Sequence, residues 1–477
     1  MTLVTALVCA ALAGALAPAA IAQQNLPQMG EPADSALSPI EERRLGAEFM
    51  RQIRAQLPLV RDTQLDEYIQ ALGTRLALAS GKSDGRGFTF FIIDSPEVNA
   101  FAIPGGYVGI YVGLIDVMAR EEQLAGVVAH EVAHVTQRHH ARAFQTGKNA
   151  SLGTAAAVLA AIVIGVASPE AGQAALAAGL AASQQRAINF TRSNEIEADR
   201  IGIEILANAG FDPSAMAESF GNLRRRNNLN TAGLNLEYLR THPLDDNRIA
   251  EAADRAAALP RQDATDGVDY DLFRARLDVL TTDDQGALER AAKARNARRA
   301  NPGDTYTLAL LALGSNRLDT ARQHLDALND MHEEHPSVAL LDVQWLAQSG
   351  ARSAALERLA ELDALYPGRY SIVEQRSELL IEARRLAESR DVLLRYLRDA
   401  APIDPDAWRA LANVRQRLGD SAGSHEALAR WFEALDELER AESQLQLALR
   451  HVPIGSQDEL RLQASLNGMR TRITQQQ

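Results

Sequence analysis

The stretch His130-Glu131-Val132-Ala133-His134 decides the fold and the chemistry of this chain. It lies in a helical pattern that runs from Glu121 to about Phe144. Residues four apart are offset by about 40° around a helix, so both imidazoles project from one face. Glu131 lies about 100° from His130, which places its carboxylate beside a metal ion held by the two histidines. The pattern predicts a site for one Zn²⁺ per chain, where Glu131 accepts a proton from the attacking water and passes it to the leaving amine.

A third metal ligand is predicted about sixty residues further along the chain. The segment Asn194-Glu195-Ile196-Glu197-Ala198-Asp199 lies in a predicted helix from Gln184 to Ala209. Glu195 and Asp199 are four residues apart and share one helical face. Glu195 is the predicted third zinc ligand, and Asp199 is predicted to accept the far N–H of a ligand histidine. Glu197 points elsewhere and is interpreted as a surface charge.

The chain before this stretch predicts two helices and a small sheet. A capping box with proline at the first helical position marks a helix start at Ser38-Pro39-Ile40-Glu41. The turn residues Pro104-Gly105-Gly106 lie between two β-type runs and predict a hairpin. The predicted elements are helices from Ser38 to about Ala55 and from about Asp62 to Ala79, a strand over Phe88–Ile93, and hairpin strands over Val98–Ile103 and Tyr107–Val112.

Small residues recur at a strict 34-residue spacing in the second half of the chain: Ala287, Ala321, Ala355 and Ser389. Each lies in an apolar helix that follows a short turn. A 34-residue helix-turn-helix period resembles the tetratricopeptide repeat, where a small residue lets two helices approach closely; the alternative is a generic helical array. The polar segment 259–270 is the predicted linker between a domain over 39–258 and a repeat domain over 271–477.

The N-terminus predicts export. Residues 1–22 carry no charged side chain, and Ala20-Ile21-Ala22 has the small-x-small pattern of a signal-peptide cleavage site. Residues 23–38 are rich in Pro, Gln and Ser and predict an extended leader. The alternative for residues 1–22 is a membrane anchor. The single cysteine, Cys9, lies in this segment, so the mature chain must bind any metal through His, Asp or Glu.

An uncharged stretch follows the His-Glu-Val-Ala-His helix. Its most apolar part, residues 155–167, spans 13 residues, which is short for a membrane-crossing helix. We interpret residues 150–182 as a helical flap beside the active site that touches a membrane surface or an unfolded client, with a buried hairpin as the alternative.

The composition narrows the class of protein. The 477 residues are 46% hydrophobic and 23% charged, which is typical of a globular chain of two or three domains. The net charge of −13 argues against a nucleic-acid partner, since nucleic-acid binders usually carry a basic patch.

The His130–His134 motif and the Asn194–Asp199 segment together resemble the motifs of the zinc metallopeptidase family that contains HtpX and the CAAX prenyl proteases. In that family the first Glu of E-x-x-x-D is the ligand, which matches Glu195, and the Asp matches Asp199. The segment Asn99-Ala100-Phe101-Ala102 with the turn after it is similar to the family's substrate-docking edge strand. The resemblance covers about residues 40–255 and implies a mainly α, zincin-type metallopeptidase domain with a small β-sheet.

With an export signal before it and helical repeats after it, the chain resembles the group of periplasmic β-barrel assembly-enhancing proteases. That resemblance implies a zinc endopeptidase for quality control and assembly of outer-membrane proteins, in the periplasm and at most peripheral to the outer membrane. The implied substrates are unfolded or misassembled exported proteins, and the repeats would contact the outer-membrane assembly machinery. Two rivals are a chaperone or scaffold with a mostly silent protease site and a membrane-embedded prenyl-peptide protease.

A further histidine lies in Thr241-His242-Pro243. In the resembled group a matching loop is thought to restrain the site, with the histidine on the metal; the alternatives are donation to the transition-state oxyanion and an ordinary loop residue. The remaining histidines near the motif and in the repeats, His139, His140, His332 and His335, are interpreted as surface residues.

Overall fold

A computed structural model describes residues 37–82, 87–146, 184–229, 237–262, 267–331, 335–400 and 404–476. The first unit contains α1 (Pro39–Gln56), α2 (Thr63–Ala79), β1 (Thr89–Ile93), β2 (Ala100–Ile103), β3 (Tyr107–Tyr111), α3 (Val112–Val117), α4 (Glu121–Thr136), α5 (His139–Thr146), α6 (Gln184–Asn208), α7 (Ser214–Leu229), α8 (Glu237–Thr241) and α9 (Asp246–Ala257). The helical array contains α10 (Val268–Thr281), α11 (Gln285–Arg298), α12 (Pro302–Gly314), α13 (Leu318–Met331), α14 (Pro336–Gln348), α15 (Arg352–Leu365), α16 (Tyr370–Glu382), α17 (Leu386–Asp399), α18 (Asp406–Arg417), α19 (Ser421–Ala434), α20 (Leu438–Leu449) and α21 (Gln457–Gln476). The predicted signal peptide and nearly all of the leader lie outside the described residues, as does the segment 150–182.

The predicted capping box opens α1. The Glu41 backbone N–H donates to Ser38 Oγ at 3.3 Å, and the Ser38 backbone N–H donates to Glu41 Oε2 at 2.8 Å. Two donors that the helix itself leaves unpaired are thereby satisfied. Because the cap fixes where α1 begins, it also fixes which of its faces turns toward the sheet.

The sheet has the order β1-β3-β2, with β1 parallel and β2 antiparallel to β3. The predicted hairpin is therefore confirmed, and β2 lies at an edge. At the turn, Gly106 has φ +86°, and a Cβ there would lie 2.2 Å from the Gly87 carbonyl oxygen, so only glycine fits. Side chains alternate along each strand: Phe91 and Phe101 face the cluster that contains α1, while Ile92 and Ile110 face the main core.

Helix α4 runs through the centre of this unit and is buried from Glu122 to His134. It packs against α2, α6 and α7 and against β2. The predicted continuous helix to about Phe144 is wrong, because the backbone turns at Arg138, which has φ +54°, and α5 begins anew at His139. The Arg138 side chain donates to the Leu37 carbonyl at 2.7 Å, so a tertiary contact holds this turn.

In the array each helix packs against the next along the chain. The 34-residue positions Ala321, Ala355 and Ser389 are fully buried between helices, as the spacing predicts, whereas Ala287 is only half-buried in α11 near the start of the array. Ser389 replaces alanine without an unpaired hydroxyl, because its Oγ lies 2.8 Å from the Ser377 Oγ. The helical repeat architecture is confirmed.

Helix α10 belongs to two hydrophobic clusters. Tyr270, Phe273 and Leu277 pack into the core of the first unit, while Val268 and Leu272 pack among the first helices of the array. Tyr270 Oη also donates to the Met118 carbonyl at 2.7 Å, just before α4. The predicted domain division at 259–270 remains a prediction, and the described residues show that α10 is shared across it.

Carboxylates of α2 and of its N-cap residue also contact the array, at its first helix and near its middle. Glu67 Oε1 accepts from the Ser371 backbone N–H at 2.9 Å, and Asp62 Oδ2 accepts from Arg276 Nη2 at 2.6 Å. Half-buried Asp66 lies in the same interface, where burial, and then the negative charges of Asp404, Asp62 and Asp406, raise its pKa to about 8.

We expect Asp66→Asn to stabilise the protein at pH 8 and to have a much smaller stabilising effect at pH 5. The folded-state pKa of Asp66 lies above the unfolded value of 3.8, so its contribution to stability is full below that value and is lost as the pH rises through about 8. Calorimetry at both pH values, with Glu357→Gln on an exposed face of α15 as control, measures the effect. A melting temperature that is not raised at pH 8 would contradict the prediction.

Candidate metal centre

Four side chains from three parts of the fold converge in the first unit. His130 and His134 come from α4, Glu195 from α6 and His242 from the residue after α8, and all four are buried. One ligand-type atom from each lies within 4.8 Å of the others. The structure thus brings the three predicted zinc ligands together and adds His242 to them.

The distances between donor atoms are short. His130 Nε2 lies 3.0 Å from His134 Nε2 and 3.4 Å from Glu195 Oε2, and His134 Nε2 lies 3.4 Å from Glu195 Oε1. The donor set of imidazole nitrogens and a carboxylate oxygen, with no thiolate, is one that binds divalent first-row metals. The cluster can therefore hold a metal ion.

The charge states of Glu195 and His134 suit metal binding, whereas His130 must release a proton when a metal binds: burial alone would lower the pKa of His130, but Asp199 and Glu195 raise it to about 10. Burial alone would raise the pKa of Glu195, but the His242 and His130 rings hold it well below its usual range. Burial, reinforced by the positive charge of His130, lowers the pKa of His134 well below its usual range. Glu195 is thus an anion and His134 a neutral ring with one unprotonated nitrogen, the forms that coordinate metals.

A close helix approach makes this convergence possible. Gly202 in α6 lies against the His130 backbone of α4, where a Cβ would come within 3.2 Å of the His130 nitrogen and 2.6 Å of Met216 Cε. A larger residue would push α6 away from α4. The interval from Glu195 to Gly202 is two helical turns, so the ligand and the glycine lie on the same side of α6.

Asp199 lies where its predicted role requires. Its Oδ1 is 2.9 Å from His130 Nδ1, the ring nitrogen that faces away from the other donor atoms. Arg248 of α9 donates from Nε to Asp199 Oδ2 at 2.7 Å and from Nη2 to Oδ1 at 2.8 Å, a bidentate pair. Sequence reasoning did not find Arg248, because no spacing rule links it to a motif 49 residues earlier.

Glu131 is 1% exposed and lies beside the donor cluster. Its Oε1 has no hydrogen-bond partner among the described residues, and His242 Nε2 is 3.5 Å away. A buried carboxylate oxygen without a hydrogen-bond partner lowers the stability of the folded protein, so its presence indicates a functional role. The placement suits a proton acceptor at a centre where water is activated.

His242 lies in the cluster rather than on the surface. Its Nδ1 is 3.1 Å from Glu195 Oε2 and 3.3 Å from His130 Nε2. The ring stacks on Tyr238 with centroids 4.7 Å apart, and the Tyr238 backbone N–H donates to the Val98 carbonyl at 3.1 Å, beside the start of β2. The segment that carries His242 is thus tied to the edge strand.

The interpretation of His139 and His140 as surface residues is wrong. His139 is 4% exposed and its Nδ1 lies 2.9 Å from His134 Nδ1. Burial lowers the pKa of His140 to about 4, and its ring is hydrogen-bonded to the backbone of Ala102 on β2. Glu197, interpreted as a surface charge, is 29% exposed and pairs with His139. The error came from extending α4 to Phe144, which gives the residues after Arg138 the wrong direction.

Of the two histidines in the repeats that were interpreted as surface residues, the structure describes one. His335 caps α14 by accepting from the Ser337 backbone N–H, and its Nε2 lies 2.7 Å from Asp269 Oδ1, so it is half-buried rather than a free surface residue. His332 lies outside the described residues.

Across the described residues, no helix has both the length and the apolar character needed to cross a membrane.

The sequence matches the model of Peptidase family M48 over residues 63–256. Among curated proteins, the beta-barrel assembly-enhancing protease of Escherichia coli (strain K12) is 34% identical over 481 residues, covering 98% of this chain and 96% of that protein. The protein of the same name from Yersinia pestis is 32% identical and covers 94% and 92% of the two chains. The mitochondrial metalloendopeptidase OMA1 of Schizosaccharomyces pombe is 30% identical over 215 residues, 44% of this chain and 59% of that one.

Proposed function

Because the chain belongs to the beta-barrel assembly-enhancing proteases of Peptidase family M48, we propose that it is a zinc-dependent endopeptidase of the periplasm. It is a metallopeptidase, so its substrates are proteins. The proposal extends this to misassembled exported clients and to a role in the assembly of outer-membrane proteins. The observation that carries the chemistry is the donor cluster with the unpartnered Glu131 oxygen beside it.

The proposed zinc ligands are His130, His134 and Glu195. Two imidazoles and one carboxylate are a known catalytic set for zinc, and they leave one position for water. A bound zinc ion supplies a Lewis acid that activates water and polarises the scissile carbonyl. Asp199, held by Arg248, fixes the His130 ring in the tautomer that presents Nε2 to the ion.

The chain's own groups then handle the substrate and the proton. Glu131 takes the proton of the attacking water on Oε1 and delivers it to the leaving amine. An extended substrate segment pairs with the outer edge of β2, where main-chain hydrogen bonds give affinity with little demand on sequence. Unfolded proteins offer such segments, whereas folded ones do not.

We expect Glu195→Gln to lower zinc occupancy, because a carboxamide carries no charge to offset that of the ion. His134→Ala has the same effect through loss of a nitrogen ligand. Metal analysis of the purified proteins measures both, with Glu204→Gln on the exposed face of α6 as the matched control. Full zinc content in both ligand variants would place the metal elsewhere.

The activity is tested by digestion of casein with purified protein, with and without a chelator. We expect cleavage that stops on chelation and returns when zinc is added back. Cleavage that is indifferent to chelation would contradict the proposed function.

Location and partners complete the proposal. Residues 1–22 are proposed to direct export to the periplasm, and the repeats of 271–477 to hold the outer-membrane assembly machinery, since stacked helix pairs form extended binding surfaces. A peripheral membrane contact through 150–182 belongs to the same proposal.

A second candidate function is that of a chaperone or scaffold whose protease is mostly silent. One observation favours it: His242 Nδ1 lies 3.1 Å from Glu195 Oε2, inside the donor cluster. A ring at this position competes with water for the metal. Casein remaining intact with the zinc-loaded wild type, but cleaved by a variant without His242, would support this candidate.

A further inference from the structure

Two chains of polar contacts lead away from the donor cluster, one from each histidine of α4. The first runs from His130 Nδ1 to Asp199 and on to Arg248, with distances of 2.9 Å and 2.7 Å. Zinc-binding histidines commonly contact a carboxylate through their second ring nitrogen, and Asp199 is such a carboxylate. The second chain starts at His134 and has no counterpart in the sequence analysis.

The second chain contains another imidazole. His134 Nδ1 lies 2.9 Å from His139 Nδ1, and His139 Nε2 lies 3.3 Å from Glu197 Oε2. Arg142 donates from Nη2 to the same Glu197 oxygen at 2.8 Å. His139 is 4% exposed and Glu197 is 29% exposed, so this row of hydrogen bonds runs from the buried cluster toward solvent.

Metal binding fixes the direction of every hydrogen bond in this chain. His134 Nε2 faces the donor cluster, 3.0 Å from His130 Nε2, so it carries no proton when it binds a metal. The His134 proton is then on Nδ1, which donates to His139 Nδ1. His139 in turn carries its proton on Nε2 and donates to the Glu197 carboxylate. Each ring is left with a single tautomer.

We propose that His139 is a positioning residue for metal binding, which orients His134 by accepting its Nδ1–H and is itself held by Glu197 and Arg142. The inference rests on the proposed function, in which His134 is a zinc ligand. The two ligand histidines are then supported differently: His130 donates to an anion, and His134 donates to a neutral ring.

The break between α4 and α5 makes this contact possible. Residues five apart in a continuous helix are rotated by about 140°, so His139 would point away from His134. The left-handed turn at Arg138, with φ +54°, redirects the chain and brings the His139 ring back over His134. A non-glycine residue in this conformation costs energy that the surrounding structure must offset.

All three acidic residues of the Asn194–Asp199 segment then serve the centre. Glu195 lies among the donor atoms, Asp199 supports His130, and Glu197 supports His134 through His139. Glu195 and Glu197 lie on different faces of α6, and the intermediate ring bridges that difference.

The test compares two substitutions of His139 by zinc affinity, measured by competition with a chelator. His139→Leu keeps bulk but removes the acceptor, and we expect zinc affinity to fall by about tenfold, within the range of about 10–100-fold for such partners. His139→Asn places an amide oxygen near the position of Nδ1, so we expect it to recover most of the affinity. Cobalt-substituted protein gives a second readout, because a reoriented ligand shifts the visible absorption spectrum.

Glu197→Gln provides an independent arm, since its side chain reaches solvent and the substitution is nearly isosteric. We expect weaker zinc binding than in the Glu204→Gln control, and no further loss when Glu197→Gln is added to His139→Leu. If His139→Leu fails to fold, the Glu197→Gln affinity decides. If His139→Leu binds zinc as tightly as the wild type, the role of His139 is overturned and the proposed function stands. The same result in Glu197→Gln has this meaning when His139→Leu does not fold. A wild-type protein that binds no zinc would overturn both.

Discussion

Glu131→Gln is expected to reduce casein cleavage by about 10²–10⁴-fold while zinc and fold are retained. The variant removes only the proton acceptor: the amide has nearly the same shape as the carboxylate, and Glu131 is not among the grouped donor residues. The loss follows from the buried position of Glu131, which is 1% exposed, so that bulk water cannot readily take over as base.

The measurement is initial-rate cleavage of casein by zinc-loaded wild type and variant at equal concentration. Metal analysis and a thermal melt serve as controls, since both are expected to match the wild type. Near-normal cleavage by the variant would sink the assignment of Glu131 as the base, even if the metal site itself were correct.

His242→Ala is expected to increase cleavage of casein by severalfold. Zinc with His130, His134 and Glu195 has one open position, which water must occupy for hydrolysis. The His242 ring lies within 3.1–3.3 Å of donor atoms from two of these residues, so it competes for that position. Pro243 follows directly and stiffens the loop, so that a small loop movement carries the ring toward or away from the ion.

The sign of the change separates the two roles left open for His242. If the ring donates to the transition-state oxyanion instead, the same variant loses about 10²–10³-fold in turnover. A double variant, Glu131→Gln with His242→Ala, controls for contaminating proteases, because any increase that survives in it does not come from this site.

The sequence predicts elements whose signals are local. The capping box at Ser38, the turn at Gly105-Gly106 and the 34-residue spacing through Ala321 and Ala355 each depend on near neighbours or on a repeated unit. The pairing of Glu195 with the two histidines was predictable for another reason: helical periodicity restricts which side chains can share a face.

The errors are tertiary in origin. No glycine or proline marks the turn at Arg138, whose left-handed backbone is held by the Leu37 carbonyl, 101 residues earlier. The contacts of His139 with His134 and Glu197 depend on that turn, so His139 was misplaced with it. Arg248 was missed because its partner Asp199 lies on a helix 49 residues away.

Helix α10 also bears on the history of the chain. Recombination exchanges domains most easily at linkers where few contacts cross the boundary. Here Tyr270 and Phe273 complete the core of the first unit, while Leu272 on the same helix belongs to the array. A chimaera that joins the protease to a foreign repeat array must therefore keep 268–281 from the original chain, and the fusion point lies beyond residue 281, inside what sequence periodicity assigns to the repeats.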